Sequence, residues 1–209
     1  YNDAASTRFI ITGAEIPDSI TGGRRGTLCC AADTEEGWGA YVVPSSGNTI
    51  IVGSALAFPA GSGLGRIFAI GDPTASGYAN VIVAGTDDGS VAVYRAPATL
   101  LALSPAGVLA LDGSYQYVEA KVVLASGVDG VVQVRVNGQQ VITLNAVNTY
   151  NSGSLIPTLL AIYPQGRRHY DDLYINSGLG LANYDFEGDV RIDTHYPDED
   201  GDFAEWNRN

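Results

Sequence analysis

Three carboxyl residues stand at alternate positions, Asp185, Glu187 and Asp189, in the stretch YDFEGDV. Such i, i+2, i+4 spacing on one strand face is how a glycosidase flanks a sugar bond with acid and nucleophile about 5 Å apart. Gly188 interrupts the run and argues for a loop entering a strand. A solvated, strand-capping role is therefore expected, with catalysis the lesser alternative. A second acidic group, Asp198, Glu199, Asp200 and Asp202 around Gly201, offers the oxygen ligands that calcium takes. Its glycine precedes the third aspartate where an EF-hand would place it after, and no glutamate closes a twelve-residue loop. A solvated acidic loop is the preferred reading. Asp171 and Asp172 in YDDLYI are further calcium candidates, set against the commoner role of tying a neighbouring loop through backbone N–H groups. No other cofactor is expected.

His169 and His195 are the only histidines, and neither has a serine or cysteine in a nucleophile setting. A hydrolase triad thus has no support, and two histidines so far apart are a poor start for zinc. Cys29 and Cys30 are neighbours; on a strand they would point to opposite faces and could not bridge each other without strain. Free thiols made in a reducing cytoplasm follow, with an intermolecular bridge as the alternative. Among the aromatic residues, Trp38 and Tyr41 are candidate glycan contacts, with Tyr94, Tyr163 and Tyr170 beside them, because a ring face suits the C–H face of a pyranose. The same rings suit a β core or a protein interface. The pairs Arg24-Arg25 and Arg167-Arg168 are docking points for an acidic partner or plain loop charges.

The elements that would position these groups read as strands. Of 209 residues, 45% are hydrophobic and 16% charged, with 26 Gly and 12 Tyr, a supply suited to pleated surfaces and tight turns. Apolar runs recur about every ten residues between Gly, Asp, Asn, Ser or Pro clusters. They comprise RFIIT at 8–12, TLCCAA at 27–32, GAYVV at 39–43, TIIVGSALAF at 49–58, RIFAIG at 66–71, NVIVAG at 80–85 and SVAVYR at 90–95. YVEAKVVLA at 117–125, VVQVRVN at 131–137, QQVITL at 139–144, TLLAIY at 158–163, YDDLYI at 170–175 and DVRIDTHY at 189–196 continue the series. Val132, Val134 and Val136 share one face while Gln133, Arg135 and Asn137 share the other. Asn137-Gly138 has the chemistry of a two-residue type I′ hairpin turn, and Thr86-Asp87-Asp88-Gly89 is a second turn. An all-β, antiparallel two-sheet jelly-roll sandwich is expected over 26–196, with an N-terminal arm at 1–25 and an acidic C-terminal segment at 197–209. RFIIT in that arm is expected to pack on a neighbouring subunit rather than on its own sandwich.

The net charge of −12 repels phosphate backbones and anionic membranes. No apolar run is long enough to span a bilayer, and the start has no secretory pattern. With no Met and Tyr1 in first place, the numbered chain is expected to omit some terminal residues.

Read in order, TIIVGSALAF, RIFAIGD, SVAVYR, YQYVEAKVVLASGVDGVVQVRVNGQQVITL, HYDDLYINSG and YDFEGDVRIDTHYPDEDGDFAEW resemble a group of concanavalin A-like or laminin-G-like domains of bacteriophage minor structural proteins. The likeness covers residues 48 to 206. Its strand ending in VNG and its DDLYI are common to many lectin-like domains, whereas GDVRIDTHYPDEDGD points to phage. What the resemblance implies is a jelly roll and a non-enzymatic virion subunit, a capsid decoration or tail protein. It would bind other virion proteins, form a homo-oligomer, and reside in the virion after synthesis in the host bacterial cytoplasm. A lectin-like adhesin contacting host-surface glycan is the alternative. Neither reading has the chain touch nucleic acid directly.

Overall fold

In the computed structural model of the chain, residues 9–12, 18–21, 24, 28–31, 38–42, 47–59, 65–72, 74, 79–163, 168–178 and 185–191 are described, the first four strands by backbone pairing alone. Among the described residues fourteen strands make two antiparallel sheets of seven, and none is helical. One sheet runs β1 (Phe9–Thr12), β4 (Trp38–Val42), β13 (Leu159–Ile162), β6 (Arg66–Gly71), β7 (Val81–Gly85), β8 (Val91–Arg95), β9 (Thr99–Leu103). The other runs β12 (Gln139–Val147), β11 (Gly130–Val136), β10 (Tyr115–Val123), β5 (Thr49–Ala57), β14 (His169–Asn176), β3 (Leu28–Ala31), β2 (Asp18–Thr21). The expected two-sheet sandwich is the observed architecture.

The main core fills the space between the sheets. Val118, Ala120 and Val122 of β10 and Val132, Val134 and Val136 of β11 come from one side, Phe68, Ile70, Val81, Val83 and Leu160 from the other. In β11 burial alternates residue by residue, as the valine pattern requires. Strands β6, β7 and β13 do not alternate: Ala69, Ile82, Leu159, Ala161 and Tyr163 form a second buried cluster, off the main core. Continuous apolar runs such as VIVAG are the sequence form of burial on both faces.

Asn137 and Gly138 take φ of 50° and 77° between β11 and β12, and Gly89 takes 76° between β7 and β8. Both hairpin turns thus have the left-handed residues their sequences offer. Three expectations are corrected. RFIIT does not stand apart: β1 pairs with β4 along Phe9↔Tyr41 to Thr12↔Trp38 in the chain's own sheet. DSIT, left within the arm, pairs as β2 with β3. A strand bonded on one edge is better satisfied at the rim of its own sandwich than waiting for a neighbour. Finally, residues 189–191, read as the start of a strand, lie outside any strand. The apolar run TLLAL at 99–103, absent from the expected strands, forms a further strand, β9, whose outer position at the sheet edge leaves Leu100 and Leu103 exposed.

Candidate functional site

The face of the second sheet turned away from the core carries the polar groups. Antiparallel register sets Arg135 of β11 beside Glu119 of β10, Glu119 beside Gly53 of β5, and Gly53 beside Tyr174 of β14. Cross-strand neighbours share a face, so these four form one row. A Cβ on Gly53 would lie 2.3 Å from Cε1 of Tyr174, so only glycine lets the ring lie back across the sheet. The phenol then reaches over β5 and donates to Oε1 of Glu119 at 2.6 Å. Replacing Gly53 by Ala is expected to push the ring off this seat. A loss of about 1 to 3 kcal/mol, the usual scale of overpacking, should appear in the thermal melt. An unchanged melt would show that the ring is free to move.

A bulge in β14 decides which side chains face outward. Pairing with β5 breaks register between Asp171 and Tyr174, and Asp172 has φ of 49°. One inserted residue reverses the alternation. Tyr170, Leu173 and Ile175 consequently face the core, while Tyr174 turns outward. The two carbonyls released from the ladder are met from β5 and β10: the Ser54 hydroxyl donates to that of Asp171 at 2.8 Å, and the Tyr117 phenol to that of Asp172 at 2.9 Å. Tyr117 and Tyr174 stack with centroids 6.4 Å apart and an interplanar angle of 13°.

Segment 185–191 crosses this face as a strap. Asp185 accepts from Nζ of Lys121 at 3.1 Å, and the Phe186 ring lies 4.1 Å beneath the Arg135 guanidinium. Glu187 accepts from Nδ2 of Asn176 at 2.9 Å and donates its backbone N–H to the Tyr174 hydroxyl at 3.2 Å. Gly188 donates its N–H to Oε1 of Glu119 at 2.9 Å. Asp189 accepts from both terminal nitrogens of Arg24, whose guanidinium also sits 5.9 Å from the centre of the Tyr117 ring. Beneath this cover Tyr117 and Glu119 are 1% and 0% exposed, although both point away from the core.

Charge and burial set the titration of the site. Burial pushes both phenols above their ordinary value, with the Glu119 carboxyl acting in the same direction, by charge on Tyr117 and by its hydrogen bond on Tyr174. The hydrogen bond to Asp189 raises the Arg24 pKa further. For Asp185 burial acts upward most strongly, but the hydrogen bonds from Lys121 and the Phe186 backbone, with the charges of Lys121 and Arg135, together outweigh it and the pKa is lowered.

The structure brings together only some of the residues singled out in the sequence. Asp185, Glu187, Asp189, Asp171, Asp172 and Arg24 meet around this face. Asp185, Glu187 and Asp189 sit on a loop and engage three different partners, Lys121, Asn176 and Arg24. The Asp171 carboxyl accepts backbone N–H groups, from Asp172 at 2.9 Å and from Arg24 at 2.9 Å, which ties the Arg24 segment to β14. Among the described residues no group of three or more His, Cys, Asp or Glu is arranged to hold a metal ion. Asp198, Asp200, Asp202, His195, Arg25 and Arg167 lie outside the described residues. Trp38 and Tyr41 are on β4 of the other sheet, where Tyr41 registers with the core residue Leu160. His169 tilts against Tyr115 at 6.3 Å, and Tyr170 is buried with its hydroxyl donating to the carbonyl of Ile67 at 3.0 Å.

Glu119, Tyr117, Tyr174 and Gly53 were not recognised in the sequence. In YVEAKVV a glutamate and a lysine alternate with apolar residues and read as a solvated face. The available signal was Gly53, a glycine inside a long β-branched run, which marks a close approach.

No family model matches the chain, and no curated protein matches it. A carbohydrate-binding module, CBM66 of Bacillus subtilis, superposes with a TM-score of 0.51 at 13% identity over 82% of this chain and 96% of that one. The carbohydrate recognition domain of Emp46p, in a potassium-bound form, gives 0.50 at 10% identity over 74% and 84%. The fold is a concanavalin A-like jelly roll. An alginate lyase, Aly36B, gives 0.47 at 18% identity over 72% and 78%. At these identities the likeness fixes fold and not activity.

Proposed function

We propose that this jelly roll is a lectin-like, carbohydrate-binding domain that binds without catalysis. The carrying observation is the outward layer of the second sheet. Aromatic rings, carboxyl groups and guanidinium groups sit there side by side, with the Asp185 and Asp189 side chains 53% and 50% exposed at the rim. Planar polar groups beside ring faces are what hydroxyl-rich, C–H-faced sugars require. The dispersal of Asp185, Glu187 and Asp189 over three partners supports binding rather than hydrolysis. On a glycan array the chain should show saturable, selective binding. Arg24→Ala should cut it about tenfold, while Trp38→Ala leaves it in place. Loss on Trp38→Ala alone would move the contact to the other sheet, and an array without any binding would overturn the reading.

A second reading, a virion subunit of a bacteriophage, is favoured by GDVRIDTHYPDEDGD, whose first residues form part of the strap. Co-sedimentation with purified capsids or tails, alongside a blank array, would favour it over the first.

A further inference from the structure

The strap lies over groups that a merely structural cover would not need. Outer-face positions of a sandwich strand are ordinarily met by solvent, yet Glu119 is wholly buried there. Its Oε1 takes two hydrogen bonds, from Tyr174 and Gly188. Its Oε2, equally buried, has no hydrogen-bond partner among the described residues. Leaving a buried carboxyl oxygen without a donor is unfavourable, and an apolar side chain would pack the same space better. Such an oxygen beneath a cover is an acceptor placed for a donor from elsewhere.

The cover itself is lightly fastened. Lys121–Asp185 and Arg24–Asp189 are ion pairs with exposed carboxyls, the kind that contributes little in water. Among the described residues no ladder of backbone bonds joins segment 185–191 to a strand, and Gly188 sits at φ of 79°, a ready pivot. Segments with few backbone bonds and exposed fastenings open at a small fraction of the global stability.

We infer that segment 185–191 is a displaceable strap, and that the face beneath it is a subsite for a neutral saccharide unit presenting neighbouring hydroxyl groups. This rests on the reading of the chain as carbohydrate-binding. With the strap lifted, Oε1 loses the Gly188 N–H and Glu119 offers both oxygens to two adjacent hydroxyls. The Tyr117 and Tyr174 rings supply apolar faces for the C–H side of the sugar, and Arg24, released from Asp189, donates to a ring or hydroxyl oxygen. An uncharged ligand follows from the surroundings: the carboxyls of Glu119, Asp171, Asp172, Asp185, Glu187 and Asp189 outnumber the cations Arg24, Lys121 and Arg135 on this face, and the whole chain carries −12, so an acidic sugar would be repelled.

The test uses the full chain and four- to six-unit oligosaccharides of glucose, galactose, mannose and xylose, with oligogalacturonate as the acidic counter-probe. Asp185→Asn with Asp189→Asn loosens the strap. Hydrogen exchange at 186–190 should then accelerate while β10 stays protected, and calorimetry should show a neutral oligosaccharide binding about tenfold tighter as the closed population falls. Glu119→Gln keeps the shape of the carboxyl and Tyr174→Phe keeps the ring. Each should weaken binding at least about tenfold with the fold intact by thermal melt. Equal affinity across all these variants would overturn the strap-covered subsite while leaving carbohydrate binding in place. Preference for oligogalacturonate would overturn the neutral class. Absence of binding to wild type and loosened chain alike would overturn both.

Discussion

Above a pH of about 10, the ordinary value of a tyrosine phenol, the chain is expected to lose stability steeply and unfold in one step. Tyr117 and Tyr174 have folded pKa values above that value, so the folded state holds protons that the unfolded chain releases. A group of this kind contributes its full stability below the unfolded pKa and loses it as pH rises toward the folded one. Each such proton is worth about 1.4 kcal/mol per pH unit between the unfolded and folded values. Against a total of roughly 5 to 15 kcal/mol, two units of alkalinity are enough to matter. Ultraviolet phenolate absorbance should show most tyrosines titrating gradually and a remainder appearing together with the loss of near-ultraviolet circular dichroism. Tyr174→Phe retains the ring on Gly53 and should move the alkaline midpoint upward. A midpoint that does not move would mean that the phenols are not what limits the fold in base.

Replacing Val134 by Asp should unfold the chain or come close to it, whereas Gln133→Glu should leave the melt nearly unchanged. Val134 is 0% exposed in the main core. A carboxyl there has no partner, at a penalty of several kcal/mol by order of magnitude. Gln133 lies on the opposite face of β11 and registers with Lys121 of β10. A glutamate at that position faces an opposite charge and should change stability by no more than about 0.5 kcal/mol. Comparable melting shifts for the two variants would mean that β11 is out of register.

Much of the sandwich is legible in the sequence, because β11, the NG turn and the spacing of apolar runs state their period locally. Val132, Val134 and Val136 could be assigned to the core without any knowledge of their neighbours. The site is different. Glu119 is an ordinary outward residue by period, and becomes buried only because segment 185–191 crosses above it. Tyr174 would face inward by counting from Tyr170, and faces outward only because Asp172 takes a left-handed conformation. Both facts depend on residues far away in the chain, and period-two reasoning reaches no further than one strand. The same limit explains the misplaced N-terminal strand: RFIIT reads as isolated because its partner, β4, lies beyond two strands, β2 and β3, that belong to the other sheet.

The position of β5 between β10 and β14 bears on how quickly the protein is made. Ser54 and Asp171 touch across that ladder although 117 residues separate them, and β5 is apolar along almost its whole length. On a ribosome, β5 emerges long before the strand that covers its second edge. Until then a sticky, half-paired edge is open to other nascent chains. Closing so large a loop before any reward is collected belongs to the slow class of folding reactions, milliseconds to seconds rather than microseconds. Yield on expression should therefore respond more strongly to low temperature and chaperone supply than the stability of the finished sandwich alone would suggest.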